Sequence, residues 1–184
     1  GVMPILNKDM TLCISLAARP SNLGTRFHNF LYDELGLNFI YKAFTTEDIE
    51  GAVRGVRALG IRGCSVSMPF KEAVIPLVDE LDASALAIES VNTIVNDGGK
   101  LVASNTDYEA IAALIAEHDI RPSLPVVVRG AGGMAKAVVA AFRDAGFADV
   151  TVVARNERTG SALAEKYGFR WQAVDPSPGP FALV

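Results

Sequence analysis

Residues 65–71, Ser-Val-Ser-Met-Pro-Phe-Lys, end a strand-like apolar run with a proline, an aromatic ring and a lysine. The ammonium group of Lys71 could donate a proton to a reacting oxygen, or it could be a solvated charge at the start of a helix. These seven residues do not decide between the two roles. The choice depends on the other reactive groups of the chain and on the elements that hold them.

A glycine-rich turn lies between a predicted strand, Val126–Arg129, and a predicted helix that ends at Gly146. The turn consists of Gly130, Ala131, Gly132, Gly133, Met134 and Ala135. Gly130 permits the tight turn, Gly132 lets a pyrophosphate approach the backbone, and Ala135 replaces the third glycine where helix packs on strand. Free N–H groups and the positive dipole end of the helix would bind the anion. The pattern predicts a dinucleotide site.

The end of the next predicted strand, residues 150–154, indicates which dinucleotide binds. An acidic residue there would hold a ribose 2′-hydroxyl, whereas a basic residue accommodates a 2′-phosphate. Arg155 and Asn156 follow the strand, while Asp149 precedes it and so lies at the wrong end of the sheet. The sequence therefore predicts NADP(H), with Arg158 as a candidate second phosphate contact. The alternative for Arg155 is a solvated arginine at a helix start.

Alternating strand-like and helical patterns precede this turn and indicate a parallel α/β protein. Strands are predicted at residues 11–16, 38–44 and 64–68, and helices at residues 25–35, 46–59, 71–81 and 108–117. We expect Thr45 or Thr46 to cap the second helix, Gly60 to end it, and Pro69 to suit the first turn of the third. The turn sequence Asn96-Asp97-Gly98-Gly99 predicts a hairpin, so one antiparallel pair should join a mostly parallel sheet.

The polar, proline-bearing segment 119–125 indicates a boundary between two domains. We expect a substrate-binding and catalytic domain at residues 1–107, a connecting helix and linker at 108–124, and a partial Rossmann NADP-binding domain at 125–184. Since the nucleotide belongs to the second domain, the first should hold the substrate, and the cleft between them should hold the reaction.

Composition excludes several classes of partner. The chain has 184 residues, half of them apolar, and a formal net charge of −4, so it offers no broad basic field for a nucleic acid or an anionic membrane. Its apolar runs are too short to span a bilayer, and the first residues do not form a signal peptide. Cys13 and Cys64 are expected to be reduced core residues without a metal. These features predict a cytoplasmic protein. We expect a monomer or a homodimer, although composition does not decide between the two.

Four motifs in sequence order resemble those of the shikimate dehydrogenase family over nearly all of the chain. They are residues 63–71, 91–93 and 105–107 and the turn that begins at Gly130. The resemblance implies an NADP-dependent oxidoreductase that interconverts 3-dehydroshikimate and shikimate, or a related hydroxylated ring acid. It places that reaction in chorismate and aromatic amino acid biosynthesis.

The resemblance also implies the roles of individual residues. Lys71 and Asp107 would form the catalytic pair, and Ser67 and Asn92 would bind the substrate. Lys71 would give a proton to the oxygen as hydride reaches the ring ketone, while Asp107 would hold the ammonium and accept a hydrogen bond from a neighbouring hydroxyl. Asp107 could instead be only a helix cap.

One segment, Ser-Asn-Leu-Gly-Thr-Arg-Phe-His-Asn at residues 21–29, departs from the family pattern. Family members usually carry two serines here, whose hydroxyls bind the substrate carboxylate, followed by a proline. Aligned on His28, the serine positions hold Asn22 and Gly24, and Thr25 replaces the proline. Asn22 can still donate hydrogen bonds and Thr25 could lend a hydroxyl, so both are predicted to bind substrate, whereas Gly24 offers only backbone.

Other residues of this segment could compensate for the missing serines. Ser21 could lend a hydroxyl, and Arg26 could pair with the carboxylate if it points inward, or else be exposed to solvent. His28 is expected to be partly buried and to bond locally. The altered segment indicates the divergent shikimate dehydrogenase-like branch, with slower turnover of shikimate or a different ring acid.

The two ends of the sequence raise a further expectation. A dinucleotide-binding sheet needs strands beyond residues 170–174, yet the sequence stops at residue 184, so we expect an incomplete Rossmann domain from a truncated chain. Gly1 and Val2, ahead of Met3, are expected to be remnants of recombinant expression.

Three hypotheses follow for function. The first is an NADP-dependent oxidoreductase acting on shikimate or a close relative. The second is a catalytically idle regulatory protein that binds NADP(H) and a small ring acid, which the altered segment favours. The third, a dehydrogenase for a substrate such as methylene-tetrahydrofolate, fits the glycine-rich turn but not the motif at residues 105–107. Turnover separates the first two, because both predict binding.

Overall fold

The computed structural model describes residues 6–173, and the chain divides between Asn105 and Thr106 into two compact units. The described part of the first unit contains a six-stranded sheet, and that of the second a three-stranded parallel sheet. Helices join the strands in both units, so the predicted α/β class is confirmed. Between residues 6 and 173, no helix has both the length and the apolar character needed to cross a membrane.

The sheet of the first unit has the order β2-β1-β3-β5-β6-β4. Its strands are β1 (Thr11–Ala17), β2 (Phe39–Thr45), β3 (Gly63–Val66), β4 (Glu80–Leu81), β5 (Thr93–Asp97) and β6 (Lys100–Ser104). Its helices are α1 (Asn22–Glu34), α2 (Ile49–Ala58) and α3 (Ala83–Ile88). The predicted hairpin is confirmed, because Gly98 and Gly99, with φ of 60° and 100°, join β5 to β6. β5 is antiparallel to both β3 and β6, so there are two antiparallel pairs rather than the one expected.

The reversal of β5 determines which chain segments share an edge of the sheet. β1, β3 and β6 run in the same direction, so their carboxyl ends meet the start of β5 at one edge. Backbone hydrogen bonds fasten these ends together: the amide of Ser67 donates to Leu16 (3.0 Å), that of Val66 to Asn92 (2.8 Å), and that of Asn92 to Ser104 (3.1 Å). Ligand-binding residues commonly lie at such an edge.

Alternating side chains of the strands form the core of the first unit together with α2. This core includes Ile14, Leu16, Val53, Val56, Cys64, Val66, Ile94 and Leu101. Neither cysteine forms a disulfide, and Cys64 is buried, as expected, while Cys13 is half-buried. Burial raises the pKa of the Cys64 thiol to about 12, and the nearby Cys13 adds to the shift.

The prediction of a helix at residues 71–81 is wrong. The chain instead makes turns, a short 3-10 helix at Ile75–Leu77 and strand β4. Pro76 lacks an N–H group and cannot continue a helix from the preceding turn. The backbone amide of Asp79 donates to Leu101, and the Asp79 carboxylate accepts from the Leu101 amide, so this stretch pairs with β6. Pro69 follows a cis bond and precedes turns, not a helix.

Two smaller differences concern helix starts. Asp48, rather than Thr45 or Thr46, caps α2, since its carboxylate accepts from the Gly51 amide at 2.9 Å. Gly60 follows α2 with φ of 65°, which agrees with the prediction that Gly60 ends this helix.

Helix α3 was not predicted. The carboxylate of Asp82 accepts hydrogen bonds from the first amides of α3, so the sequence did carry a capping signal for it.

The described part of the second unit contains α4 (Thr106–Glu117), β7 (Val126–Arg129), α5 (Gly133–Asp144), β8 (Val150–Val153), α6 (Glu157–Lys166) and β9 (Arg170–Gln172). The strands lie in the order β7-β8-β9 and are parallel. The predicted strand and helix around the glycine-rich turn are confirmed. Residues 1–5 and 174–184 lie outside the described part. The expectations about both ends of the sequence concern these residues and stay predictions.

Helix α4 packs against α5, and the Tyr108 hydroxyl donates to the Asp144 carboxylate at 2.6 Å. The helix therefore belongs to the second unit, whereas the expected ranges of 1–107, 108–124 and 125–184 assigned most of it to a separate connection. The assignment of substrate and cofactor to those ranges stays a prediction.

Candidate functional site

The first unit contains a cavity of about 720 Å³, here called the first cavity, at the shared edge of its sheet. The segment after β1, the start of α1 and the segment after β3 form most of its wall. The lining residues are Ser15, Ala17, Ala18, Arg19, Pro20, Ser21, Gly24, Thr25, Tyr41, Ser65, Ser67, Met68, Pro69 and Lys71. Two of these described residues are cationic and none is acidic, so this wall is suited to a polar ligand that carries negative charge.

Lys71 is half-buried in the wall of the first cavity and follows β3 by five residues. Its carbonyl oxygen accepts a hydrogen bond from the Val91 amide at 2.8 Å, which fixes its backbone. Its Nζ has no hydrogen-bond or ion-pair partner among the described residues of the first unit. Lys71 lies in a turn and not at a helix start, so the helix-start interpretation of this lysine is wrong. Ser67 lies in the same wall.

Asn92 follows Val91, so the hydrogen bond to Lys71 also links the backbones of these two predicted site residues. The carbonyl oxygen of Asn92 accepts from Val66, and its side-chain oxygen accepts from the Thr93 hydroxyl at 2.9 Å. Its side chain is half-buried at the edge where the first cavity lies, but Asn92 is not among the lining residues.

The start of α1 contributes only some of the residues considered as replacements for the serines. Ser21 and Thr25 line the first cavity, whereas Asn22 and Arg26 are exposed and do not. The Thr25 hydroxyl oxygen is buried and has no hydrogen-bond partner in the described structure. Arg19, which sequence reasoning missed, lines the cavity. Its position two residues after β1 was the available signal.

His28 and Asn29 hold α1 against β2 beside the first cavity. The His28 ring stacks on Tyr41, with 4.2 Å between ring centroids, and its Nδ1 hydrogen-bonds the Gly24 carbonyl at 2.8 Å. Local bonding of His28 is therefore confirmed. The Asn29 side chain bonds both backbone groups of Tyr41. Because Gly24 and Tyr41 line the cavity, these contacts shape its wall.

Asp107 is the second residue of α4 and is half-buried. The chain reaches it through Asn105, which is buried at the end of β6. The Asn105 amide donates to the Ser84 hydroxyl at 2.8 Å, its side chain donates to the Ser90 carbonyl, and the Ser84 hydroxyl donates to Asp82. This network, which was not predicted, fixes the backbone just before α4.

The second unit contains its own cavity of about 830 Å³, here called the second cavity, at the carboxyl ends of β7 and β8. It is lined by Arg129, Gly130, Ala131, Gly132, Val153, Ala154, Arg155, Asn156, Thr159 and Ala173. The glycine-rich turn and the tip of the following strand thus share one wall, as a dinucleotide site requires.

The local conformation of the turn suits an anionic ligand. Gly130 has φ of 102°, and a Cβ added there would lie 3.9 Å from the Cβ of Ala135. Gly132 precedes α5 in an extended conformation, with open space where a side chain would be. No side chain caps α5 and its first turn has no acidic residue, so its first amides are available to an anion. Ala135 is buried, while Met134 is exposed.

Residues after β8 complete the second cavity. Arg155 is exposed and lines it, and Asn156 lines it while its side-chain oxygen caps α6 by accepting from the Thr159 amide at 3.1 Å. Gly133, Met134, Ala135 and Arg158 do not line it. Asp149 forms an ion pair with Arg170 at the opposite end of β8. Thr159 and Arg129 were missed, since no motif marks them. Nowhere among residues 6–173 do three potential metal ligands of the His, Cys, Asp or Glu types gather.

Comparison with known proteins gives consistent matches. Residues 21–94 match the family described as the shikimate dehydrogenase substrate binding domain. The chain is 62% identical over 167 residues to the shikimate dehydrogenase-like protein of Haemophilus influenzae, which covers 91% of this chain and 62% of that protein. A solved shikimate 5-dehydrogenase-like protein has a TM-score of 0.87 at 61% identity, with 92% of this chain and 63% of that chain covered.

The shikimate 5-dehydrogenase of Thermus thermophilus, solved in complex with NADP(H) and shikimate, is a more distant match. It has a TM-score of 0.74 at 32% identity, with 89% of this chain and 62% of that chain covered. The chain thus spans about three fifths of the length of these relatives.

Proposed function

The chain belongs to the shikimate dehydrogenase family, and from this membership we propose that it is part of an NADP-dependent oxidoreductase acting on shikimate or a closely related hydroxylated ring acid. Lys71 and Asp107 are its proposed catalytic residues. The observation that carries the proposal is the half-buried Lys71 ammonium in the wall of the first cavity, without a partner in its own unit. An ammonium so held is available to a reacting oxygen.

Cofactor binding is proposed for the glycine-rich turn and the residues that follow β8. The residues present fit a dinucleotide phosphate: the start of α5 is uncapped, Gly132 leaves open space, and Arg155 and Asn156 lie in the same cavity wall. Arg155 would face the 2′-phosphate that distinguishes NADP(H). When bound, the nicotinamide supplies or accepts the hydride.

The chain's own residues would move the proton and orient the substrate. In the reductive direction Lys71 Nζ gives a proton to the oxygen on which negative charge develops, and in the oxidative direction neutral Lys71 receives it. The Asp107 carboxylate has no hydrogen bond or ion pair among the described residues of the second unit, so both its oxygens remain available to a ligand. Ser67 and Asn92 would hold substrate hydroxyls and fix which ring carbon reacts.

A spectrophotometric assay tests the proposal. The full-length protein is expected to form NADPH from NADP⁺ with shikimate. Quinate is the second substrate to be assayed. Lys71→Ala should lower kcat by at least about 10²-fold, the usual scale of acid–base help, while NADP⁺ binding stays unchanged. Lys42→Ala is the matched control, since Lys42 is exposed on β2 and does not line the first cavity. An unchanged kcat in Lys71→Ala would rule out the role of this lysine.

A second candidate is a regulatory protein that binds NADP(H) and a small ring acid without useful turnover. The altered wall of the first cavity favours it, because Gly24 has no hydroxyl and Asn22 lies outside the cavity. Binding of NADP⁺ without reduction by either shikimate or quinate would support this candidate against the enzyme. A cytoplasmic location and a monomeric or homodimeric state stay predictions.

A further inference from the structure

The two charged side chains that line the first cavity are both cationic. They belong to Arg19 and Lys71, and no aspartate or glutamate among residues 6–173 lines the cavity to balance them. Arg19 makes no ion pair or side-chain hydrogen bond with the described residues of the first unit. An arginine and a lysine without counter-ions in one concave wall create a local positive potential that favours a negatively charged ligand.

Arg19 and Lys71 reach the cavity from neighbouring strands. β1 and β3 are adjacent and parallel, so the segments that carry these residues leave the sheet side by side at the same edge. A single ring-shaped ligand in the 720 Å³ cavity can therefore meet one cation at each of two substituents.

The start of α1 adds hydrogen-bond donors to the same part of the wall. Ser21 precedes α1 and makes no side-chain cap, and the first turn has no acidic residue. Ser21 and Thr25 both line the cavity with Arg19. Arg26, by contrast, is exposed on α1 and lies outside the cavity lining, so it is not placed to replace the missing serines.

We infer that Arg19 binds the carboxylate of the ring-acid substrate and sets the preference of the first cavity for an acid. This inference rests on the proposed function and gives it a specificity-determining residue. The planar guanidinium can form two parallel hydrogen bonds with a carboxylate, which a pair of hydroxyls would otherwise provide. Lys71 is then left for the oxygen that reacts.

The test compares shikimate with its uncharged methyl ester in the full-length protein. Wild type should prefer the acid, and Arg19→Ala should raise KM for shikimate by about 10- to 100-fold, the usual cost of losing a hydrogen bond to a charged group. The variant should change kcat little and lose the preference over the ester. Arg19→Lys should restore part of the preference, because it keeps the charge but not the paired geometry. Arg26→Ala is the matched control and should behave as wild type.

Calorimetric binding of shikimate by the same variants separates the possible failures. If wild type oxidises shikimate and Arg19→Ala keeps the acid-to-ester preference, the role of Arg19 is overturned while the proposed function stands. If the acid-to-ester preference is lost in Arg26→Ala instead, Arg26 binds the carboxylate and the inference is wrong. If wild type neither binds nor oxidises shikimate or quinate, both proposals are overturned. Equal losses for acid and ester in Arg19→Ala would indicate a structural role and also contradict the inference.

Discussion

The side-chain amide of Asn29 hydrogen-bonds both backbone groups of Tyr41. Its nitrogen donates to the Tyr41 carbonyl at 2.8 Å, and its oxygen accepts from the Tyr41 amide at 2.9 Å. Within the described sheet β2 is the outermost strand on its side, so Asn29 supplies partners that a neighbouring strand would otherwise supply. The contact also holds Tyr41, which lines the first cavity.

Asn29→Ala is therefore expected to lower the free energy of unfolding by about 1–3 kcal/mol, because it leaves two backbone groups of the buried Tyr41 without these partners. Urea denaturation followed by circular dichroism measures this change. Asn38→Ala is the control, since its side chain bonds only the exposed Asn7 side chain, and it should shift stability by less than about 0.5 kcal/mol. Equal effects of the two substitutions would contradict the role of Asn29.

Gly130→Ala is expected to weaken NADP⁺ binding. The residue has φ of 102°, which side chains rarely adopt, and the turn shapes the second cavity. Gly146 has φ of 89° but does not line that cavity, so Gly146→Ala is a control with comparable backbone strain. Both variants should lose about 1 kcal/mol of stability. Isothermal calorimetry should find weaker NADP⁺ binding in Gly130→Ala alone; retained affinity in that variant would argue against the turn as the nucleotide site.

Arg155→Ala should raise the Kd for NADP⁺ by about 10- to 100-fold and change that for NAD⁺ little, since only NADP⁺ carries the 2′-phosphate. Arg158 lies outside the lining of the second cavity, so Arg158→Ala should have a smaller effect. Titration of each variant with both nucleotides measures the ratio. Equal losses of affinity for the two nucleotides would indicate that Arg155 contacts a part of the ligand that both share. An unchanged affinity for NADP⁺ would show that Arg155 does not contact the nucleotide.

Alkaline pH should destabilise the first unit partly through Cys64. Burial raises the pKa of this thiol to about 12, whereas an unfolded cysteine titrates near 8.5. Since the folded pKa is the higher one, the stabilisation is complete below about pH 8.5 and is lost as pH rises towards 12, with a slope of up to about 1.4 kcal/mol per pH unit. Unfolding measured from pH 8 to 11 should show a shallower decline in Cys64→Ala than in wild type. Parallel profiles would contradict this account.

Local signals in the sequence predicted the elements that are set by a few neighbouring residues. The Gly98-Gly99 hairpin and the strand-turn-helix around Gly130 depend on glycines with positive φ, so they could be predicted. Residues 71–81 could not be assigned correctly by helical periodicity, because their pairing with β6 depends on contacts distant in sequence. Pro76 was the local sequence signal against a helix in this stretch.

The candidate site was predictable only where a motif marks it. Lys71, Ser67 and the first three residues of the glycine-rich turn line cavities at the expected strand ends. Arg19 and Thr159 carry no such mark, and which residue among Ser21, Asn22 and Arg26 faces the first cavity depends on how α1 starts. The contribution of Ser84 depends on helix α3, which was not predicted although Asp82 marks its start.

The reversed direction of β5 has a consequence for the order of folding. Asn92 and Asn105 reach the same edge of the sheet through a tight hairpin, whereas β1 and β3 meet only after the chain has passed through two helices and β2. Closing a short loop costs less chain entropy and takes less time than joining distant strands. We therefore expect the hairpin side of the first unit to gain protection against amide hydrogen exchange earlier during refolding than the side formed by β1 and β3.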